Sequence, residues 1–398
     1  DPSHVKVYAC GPTVYNYAHI GNARMAVVND LLVRLLRIIY PKVTYVSNIT
    51  DIDDKIIEAS QKNNLPFKDL TKKFEKIYNE DMSALGVSKP NIQPRATEHI
   101  KEMINLTKKL IESNHAYEKD GHVLFHVPSF KKYGCLSKRN RDEQILGSRV
   151  EVAPFKKDPT DFILWKPSPK PLPGWDSPWG FGRPGWHLEC SAMSEKTLGL
   201  PFDIHSGGMD LTFPHHENEI AQSCAAHKKT DEPKSFAKYW VHNGFVIVNG
   251  EKMSKSLGNV IDPNYLVDKY GVDQVRYFLL REIPFGEDGN FSEDLLTNRI
   301  NSELANDYGN LVQRVISMAH KYCNGLVPQQ NEYNHEDLIL SNLPKKEMQN
   351  IEENMKNLQF NNALENIWNI IRKTNAYVDA NEPWALHKNN KLDRLNTV

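Results

Sequence analysis

The opening sixty residues alternate between two hydrophobic periods, and that alternation restricts the fold more than any other feature of the chain. Val5 and Val7 stand between polar neighbours and Tyr8-Ala9-Cys10 continues the run, which is a strand pattern. Gly11-Pro12 breaks it. Beyond Asn22, the residues Val27, Val28, Leu31, Leu32, Leu35, Leu36 and Ile39 recur at helical spacing, enough for about five turns. Pro41 closes this helix, and 43–49 reads as a second strand. The next helix opens on Asp51, Asp53 and Asp54, where negative charge meets the positive end of the helix dipole. Strand–helix–strand–helix with short links predicts an α/β fold on a parallel sheet with crossover helices.

Two more helices are expected at 67–85 and 96–113. The character then changes. Short strands, turns such as Lys119-Asp120-Gly121 and a Pro/Trp-rich stretch over 166–184 mark 116–183 as an inserted subdomain. Parallel-sheet signals resume with a helix at 186–198, a strand at 202–205, a helix at 214–227 and a strand at 239–245. After Pro263 the pattern is helical nearly throughout, near 265–280, 294–320, 344–357 and 361–378. The expected division is 1–115 and 184–250 for the two halves of the α/β domain, 116–183 for the insert, 251–292 for a linking region and 293–398 for an incomplete all-helical bundle. With Asp1 in first place, we expect a trimmed start.

Composition narrows the class. With 49 basic and 50 acidic residues the chain is nearly neutral, which permits a nucleic-acid partner without proposing one. Lysine pairs such as Lys72-Lys73 and Lys228-Lys229 read as solvated helix faces. The five cysteines are scattered without a C-x-x-C pair, which points to a reducing, cytoplasmic setting. No apolar run reaches membrane length and no signal-peptide pattern opens the chain.

Three groups of residues suggest chemistry. His19-Ile20-Gly21-Asn22 lies between the first strand and the first helix, where backbone N–H groups and the helix dipole favour phosphate. The alternative is a capping loop. Lys252-Met253-Ser254-Lys255-Ser256 could neutralise a triphosphate and its leaving group, or be a solvated basic loop. His215 and Glu219 are four apart, hence on one helix face, as helix-borne metal ligands are. Cys10 ends the first strand and Cys190 lies in the helix after Gly185-Trp186-His187. Spacing alone leaves these cysteines open between ligands and buried structural thiols.

Taken together, the His19 and Lys252 elements resemble the "HIGH" and "KMSKS" elements of class I aminoacyl-tRNA synthetases, with Asn22 where the pattern has a second histidine. The resemblance implies a Rossmann-type domain that joins an amino acid to ATP, with Mg2+, and passes the acyl group to tRNA. It implies that His19, Asn22, Lys252 and Lys255 act in catalysis and that Gly21 joins them in binding ATP. Four stretches resemble the cysteinyl-tRNA synthetases: Cys10-Gly-Pro-Thr-Val-Tyr15, Asn48-Ile-Thr-Asp-Ile-Asp-Asp-Lys55, the run from Gly182 through Met193, and Asp203 through Gln222. That resemblance implies that Cys10, Cys190, His215 and Glu219 hold one zinc ion, to which the substrate cysteine binds through sulfur. It also implies that Thr50 and Trp186 line the amino-acid pocket and that Gly207, Gly208 and Asp210 hold adenosine. His216 is expected beside the ligands or facing ATP.

Beyond 259 the likeness changes. Tyr270 through Glu282, Pro284 through Ser292, Asn306 through Arg314 and Asn381-Glu-Pro-Trp384 resemble the methionyl-tRNA synthetases. By that resemblance Asn310, Arg314 and Trp384 would read a methionine-type anticodon, which raises a chimera joined within 241–259, the alternative being a cysteine enzyme with a divergent tail. The reading is a cysteine–tRNA ligase taking cysteine, ATP and tRNA. The alternatives are a methionine–tRNA ligase, a ligase joining cysteine to an amino-sugar, and a non-catalytic tRNA-binding module.

Overall fold

The computed structural model describes residues 2–147, 154–248, 250–253 and 259–398. Its contacts divide the chain into two units, Asp1–Phe245 with Val260–Asp268, and Val246–Asn259 with Lys269–Val398. Among the described residues no helix is long and apolar enough to cross a membrane.

The first unit begins as the alternation predicts, with β1 (Val5–Ala9), α1 (Ile20–Ile39), β2 (Val43–Ser47), α2 (Asp54–Lys62) and α3 (Phe67–Ala84), followed by α4 (Ile100–Glu112). The insert supplies β3 (Ala116–Lys119), β4 (His122–Phe125), α5 (Arg141–Gly147), β5 (Phe162–Pro167) and β6 (Gly182–Pro184). Then come α6 (Trp186–Leu198), β7 (Phe202–Gly208), α7 (Glu217–Ala226) and β8 (Ala237–Asn243). The parallel sheet runs β2-β1-β7-β8, with Val7 beside Tyr45 on one side and Ile204 on the other. Strand order therefore reverses at β1, and a ligand crevice opens beyond the carboxyl ends of β1 and β7.

Helix α1 is fixed along its amino-terminal half. His19 and Asn22 form a capping box over its first turn. Deeper in, buried Arg24 donates to the Gly244 carbonyl at 2.8 Å, and the Ser206 hydroxyl donates to Asn29 at 2.6 Å. The insert strands form their own antiparallel sheet, β3-β4-β5-β6. Its apolar face is nevertheless continuous with the core of the parallel sheet, because Phe125, Phe130 and Trp165 share one buried cluster with Tyr8, Cys10, Cys190 and Phe202. A second tie is polar. Buried Glu217 accepts N–H bonds from Gly134 (2.9 Å), Leu136 (3.4 Å) and Ser137 (2.8 Å), clamping the insert to the start of α7.

In the second unit a small sheet runs β10 (Glu251–Lys252), β9 (Val246–Val248), β11 (Gly289–Phe291). The helix expected over 265–280 is two, α8 (Pro263–Tyr270), which falls mostly in the first unit, and α9 (Val272–Arg281) in the second, since Gly271 between them takes φ +93°. The stretch 294–320 is helical throughout, as expected, with α10 (Glu293–Arg299) running through a π-helical segment over Ile300–Gly309 into α11 (Asn310–Tyr322). Helix α12 (His335–Lys356) starts nine residues ahead of the expected 344. Asn334 and Asp337 close a capping box there, and Pro344 is carried inside the helix. Helices α13 (Phe360–Asn381), α14 (Pro383–Lys388) and α15 (Leu392–Thr397) complete the unit. Buried Glu303 ties α9, α10 and α13 together by accepting from Arg281 (3.1 Å), Arg299 (2.8 Å), Arg372 (3.3 Å) and the Tyr277 hydroxyl (2.5 Å).

Gly11 follows β1 where the backbone of Asn48 passes so close that a Cβ would lie 1.6 Å from its carbonyl oxygen. Backbone cannot give way as a flexible side chain can. Gly11→Ala is predicted to destabilise the first unit by about 1–3 kcal/mol, measured as a lowered urea midpoint; an unchanged midpoint refutes the close approach.

Candidate metal centre and nucleotide site

Four donors from three elements meet beyond the sheet's carboxyl edge. Cys10 leaves β1, Cys190 projects from the first turns of α6, and Glu219 lies in α7. His215 sits just ahead of α7, in a π-helical turn that follows Phe213, whose backbone is extended, and runs on into α7. The helix expected over 214–227 is thus present, its first turn π-helical, and His215 and Glu219 pair across it, Nε2 to Oε1 at 3.1 Å. Cys10 Sγ lies 3.8 Å from Cys190 Sγ and 3.7 Å from Glu219 Oε1. All four residues are buried, and one ligand atom from each lies within 4.8 Å of the others. A tetrahedral ion of zinc's bond lengths requires about 3.8 Å between sulfurs and about 3.3–3.6 Å between the remaining pairs. The donor set fits such an ion.

Charge in this cluster is already separated. A hydrogen bond from Cys10 holds the Cys190 thiol below its usual range, helped by His215 and opposed by burial. Burial pushes the Cys10 thiol up. Burial works against ionisation of Glu219, but the imidazoles of His205 and His215 outweigh it and hold the carboxyl well below its ordinary value. His215 is raised against the same burial cost by Glu219 and Cys190. The arrangement has an imidazolium between two anionic donors, where a cation can replace the proton.

Sequence reasoning missed the imidazoles around this set. His187 Nδ1 lies 2.9 Å from His215 Nδ1, His205 Nε2 lies 2.9 Å from Glu219 Oε2, and His242 Nε2 lies 2.8 Å from His216 Nδ1. Burial pushes His187 and His216 well down, so both are neutral. The available signal was positional. His242 falls beside the end of β8 and His205 lies mid-strand in β7, and the parallel sheet sets these two strands side by side.

The other expected site residues are placed as follows. Thr50 is buried, its hydroxyl accepting from Asn48 at 3.3 Å. Trp186 is 37% exposed, and its ring centroid is 4.3 Å from that of His215. Gly207 and Gly208 end β7. A Cβ on Gly207 would come 2.8 Å from the His216 ring, and one on Gly208 2.4 Å from the carboxylate of exposed Asp210. His19 Nδ1 accepts from Gly21 N–H at 3.1 Å and Asn22 accepts from His19 N–H at 3.1 Å, so these residues form the capping loop. The described donors of the metal set do not include them. Lys252 lies in β10, and Lys255 lies outside the described residues.

In the second unit Arg314 stands 5.8 Å from the centroid of Trp384 while pairing with Asp379. Trp384 is 41% exposed, and Asn310, one turn before Arg314 on α11, is exposed. The three form a surface patch on α11 and α14.

Comparison with known proteins agrees with this architecture. Curated proteins named cysteine–tRNA ligase match 280 residues of the chain at 56% identity in Rhodospirillum rubrum and at 59% in Parvibaculum lavamentivorans, and 282 residues at 58% in Maricaulis maris. Each match covers 70% of this chain and 59–60% of the relative, so the chain spans about three fifths of their length. Among solved structures, Mycobacterium tuberculosis methionyl-tRNA synthetase in complex with methionyl-adenylate superposes with a TM-score of 0.79. That match covers 99% of this chain and 88% of the other at 22% identity, a likeness of fold alone. The family model for the catalytic domain of class I (C) tRNA synthetases matches residues 1–301, past the point near 259 where the resemblance to methionine enzymes sets in. With three quarters of its length under that model and its donors at the crevice of the parallel sheet, the chain belongs to the class I (C) tRNA synthetase family.

Proposed function

We propose that the chain activates cysteine with ATP, as part of a cysteine–tRNA ligase. One observation carries the reading: two sulfurs, an imidazole and a carboxylate converge in a single buried cluster, with separations of 3.8, 3.7 and 3.1 Å that are close to those around a tetrahedral zinc ion. In this reading Cys10, Cys190, His215 and Glu219 hold zinc. The bound ion supplies a borderline-soft acceptor that prefers a thiolate to the hydroxyl of serine. A hydrophobic pocket distinguishes one methylene by only about 1–3 kcal/mol, whereas a donor set of this kind reads the element itself. Methionine, whose sulfur carries no proton, gains less from such a site.

The protein's own residues do the rest. Trp186 covers the His215 ring and closes one side of the amino-acid pocket, with Thr50 beneath it. Gly207 and Gly208 let adenosine approach the end of β7, and Asp210 takes ribose. The cysteine carboxylate attacks the α-phosphorus of ATP and pyrophosphate leaves with Mg2+. His19, Gly21 and Asn22 offer the amino end of α1 to phosphate. By the sequence motif, Lys252 and Lys255 neutralise charge on the departing pyrophosphate. The acyl group then passes to the terminal ribose of a tRNA. Asn310, Arg314 and Trp384 present a bond-forming amide, a cation and an exposed ring, the chemistry that receives splayed bases, and we assign them to anticodon contact of the methionine type.

Cysteine-dependent ATP–pyrophosphate exchange tests the reading. It is expected with cysteine, and exchange with methionine alone would overturn the assignment. Cys190→Ser is predicted to lose bound zinc and the preference for cysteine over serine together, read by metal analysis beside the exchange assay. Lys255→Ala should slow exchange by about tenfold or more; an unchanged rate removes its role. Trp384→Ala should weaken tRNA binding without altering exchange.

A further inference from the structure

Buried Glu217 spends its whole carboxylate on one loop of the insert, accepting from the N–H groups of Gly134, Leu136 and Ser137, while the Tyr133 hydroxyl bonds the neighbouring Asn218. The loop cannot shift without leaving that carboxylate unpaired away from water. It runs on through Lys138, which turns the chain at φ +58°, to Arg139. Asn140 and Glu143 then cap α5 by exchanging bonds, Asn140 N–H to Oε2 at 2.8 Å and Glu143 N–H to Oδ1 at 3.0 Å. Helix α5 packs on the π-helical turn over Thr212–His216 that leads into α7. The insert thus sets two consecutive cations beside the segment that joins Asp210 to His215.

Arg139 is exposed, yet its guanidinium has a fixed seat. It stands 4.7 Å from the centroid of the Phe213 ring, which also meets the ring of Tyr133 at 6.1 Å and 76°. Among the described residues neither Arg139 nor Lys138 meets a carboxylate. By contrast Lys166 on β5 and Arg183 on β6, cations of the same insert, are both taken by Asp54. A guanidinium held by its face against a ring keeps its N–H edge for a planar or tetrahedral anion. In the function proposed above, the phosphates of ATP lie at the amino end of α1. The anion left for this pair is the strand that carries the accepting ribose. We infer that Arg139, with Lys138 beside it, binds a phosphodiester near the 3′ end of the tRNA and so positions the terminal ribose for acyl transfer. Contacts of this kind place a nucleic acid without reading its sequence. The inference rests on the ligase reading, and its test separates the two.

Cysteine-dependent ATP–pyrophosphate exchange is measured without RNA, and aminoacylation with bulk bacterial tRNA below its KM. Arg139→Ala, alone and combined with Lys138→Ala, is expected to exchange at the unaltered rate and to lose about tenfold or more in kcat/KM for tRNA. Arg139→Lys keeps the charge but not the planar contact, and should fall between. The slope of log affinity for tRNA against log salt should become shallower by about 0.7 for each phosphate contact removed, a change that a purely structural role would not produce. Unchanged aminoacylation in the double variant, with exchange intact, overturns the inference and leaves the ligase reading standing. Exchange lost in proportion to aminoacylation assigns Arg139 to ATP or to the fold and also overturns it. No exchange in the unaltered protein overturns the ligase reading and the inference with it.

Discussion

A carboxylate removed from water must be met by charge and hydrogen bonds on every side, and Glu219 imposes that condition on the first unit. It is fully buried, and both oxygens are engaged, one towards His215 and Cys10, the other by His205. An unpaired ion there would cost several kcal/mol. Each partner comes from a different part of the chain: a residue after β1, a turn ahead of α7 and a strand residue of β7. None can move far without leaving the buried carboxylate short of a partner, so Glu219 ties β1 and β7 to α7.

The topology explains why this meeting point lies where it does. Because β1 pairs with β2 on one side and β7 on the other, its carboxyl end opens a crevice and not a covered ridge. Cys10 and Gly11 occupy that end, and glycine there admits the Asn48 backbone at contact distance. The insert is drawn into the same construction. Glu217, two residues before Glu219, holds three N–H groups of the 134–137 loop, and the rings of Phe125 and Trp165 pack in the cluster that includes both ligand cysteines. The stretch whose composition marked it as a separate subdomain therefore shares the core of the sheet it interrupts.

What the sequence could disclose follows from this division between local and distant contacts. The β1–α1–β2 alternation and the His215–Glu219 spacing are short-range patterns, and they are present in the structure nearly as the residues spell them. Helix ends shifted where a side-chain cap outweighed the hydrophobic count, as at Asn334 and Asp337. A proline read as a helix start, Pro344, proved to be interior. Meetings across more than a hundred residues are different. Cys10 and Cys190 are brought together only by the family resemblance or by folding, since 180 residues separate them without a local pattern. His187, His205 and His242 carried no spacing signal at all; each is an isolated imidazole in an ordinary strand or helix, and only the parallel sheet makes them neighbours.

The ring of imidazoles also changes how the centre must be understood. Burial disfavours an imidazolium, and five adjacent imidazoles cannot all be charged. His187 and His216 are accordingly held neutral by burial, while His215, between Glu219 and Cys190, keeps its proton. His187, His216 and His242, neutral beside the protonated His215, form a polar lining that offers lone pairs without adding positive charge. A cation entering the centre displaces the proton of His215 and meets nitrogen donors already turned inward and already hydrogen-bonded behind. Little reorganisation is left for the moment of binding, which is what a site that must tell sulfur from oxygen by coordination geometry requires.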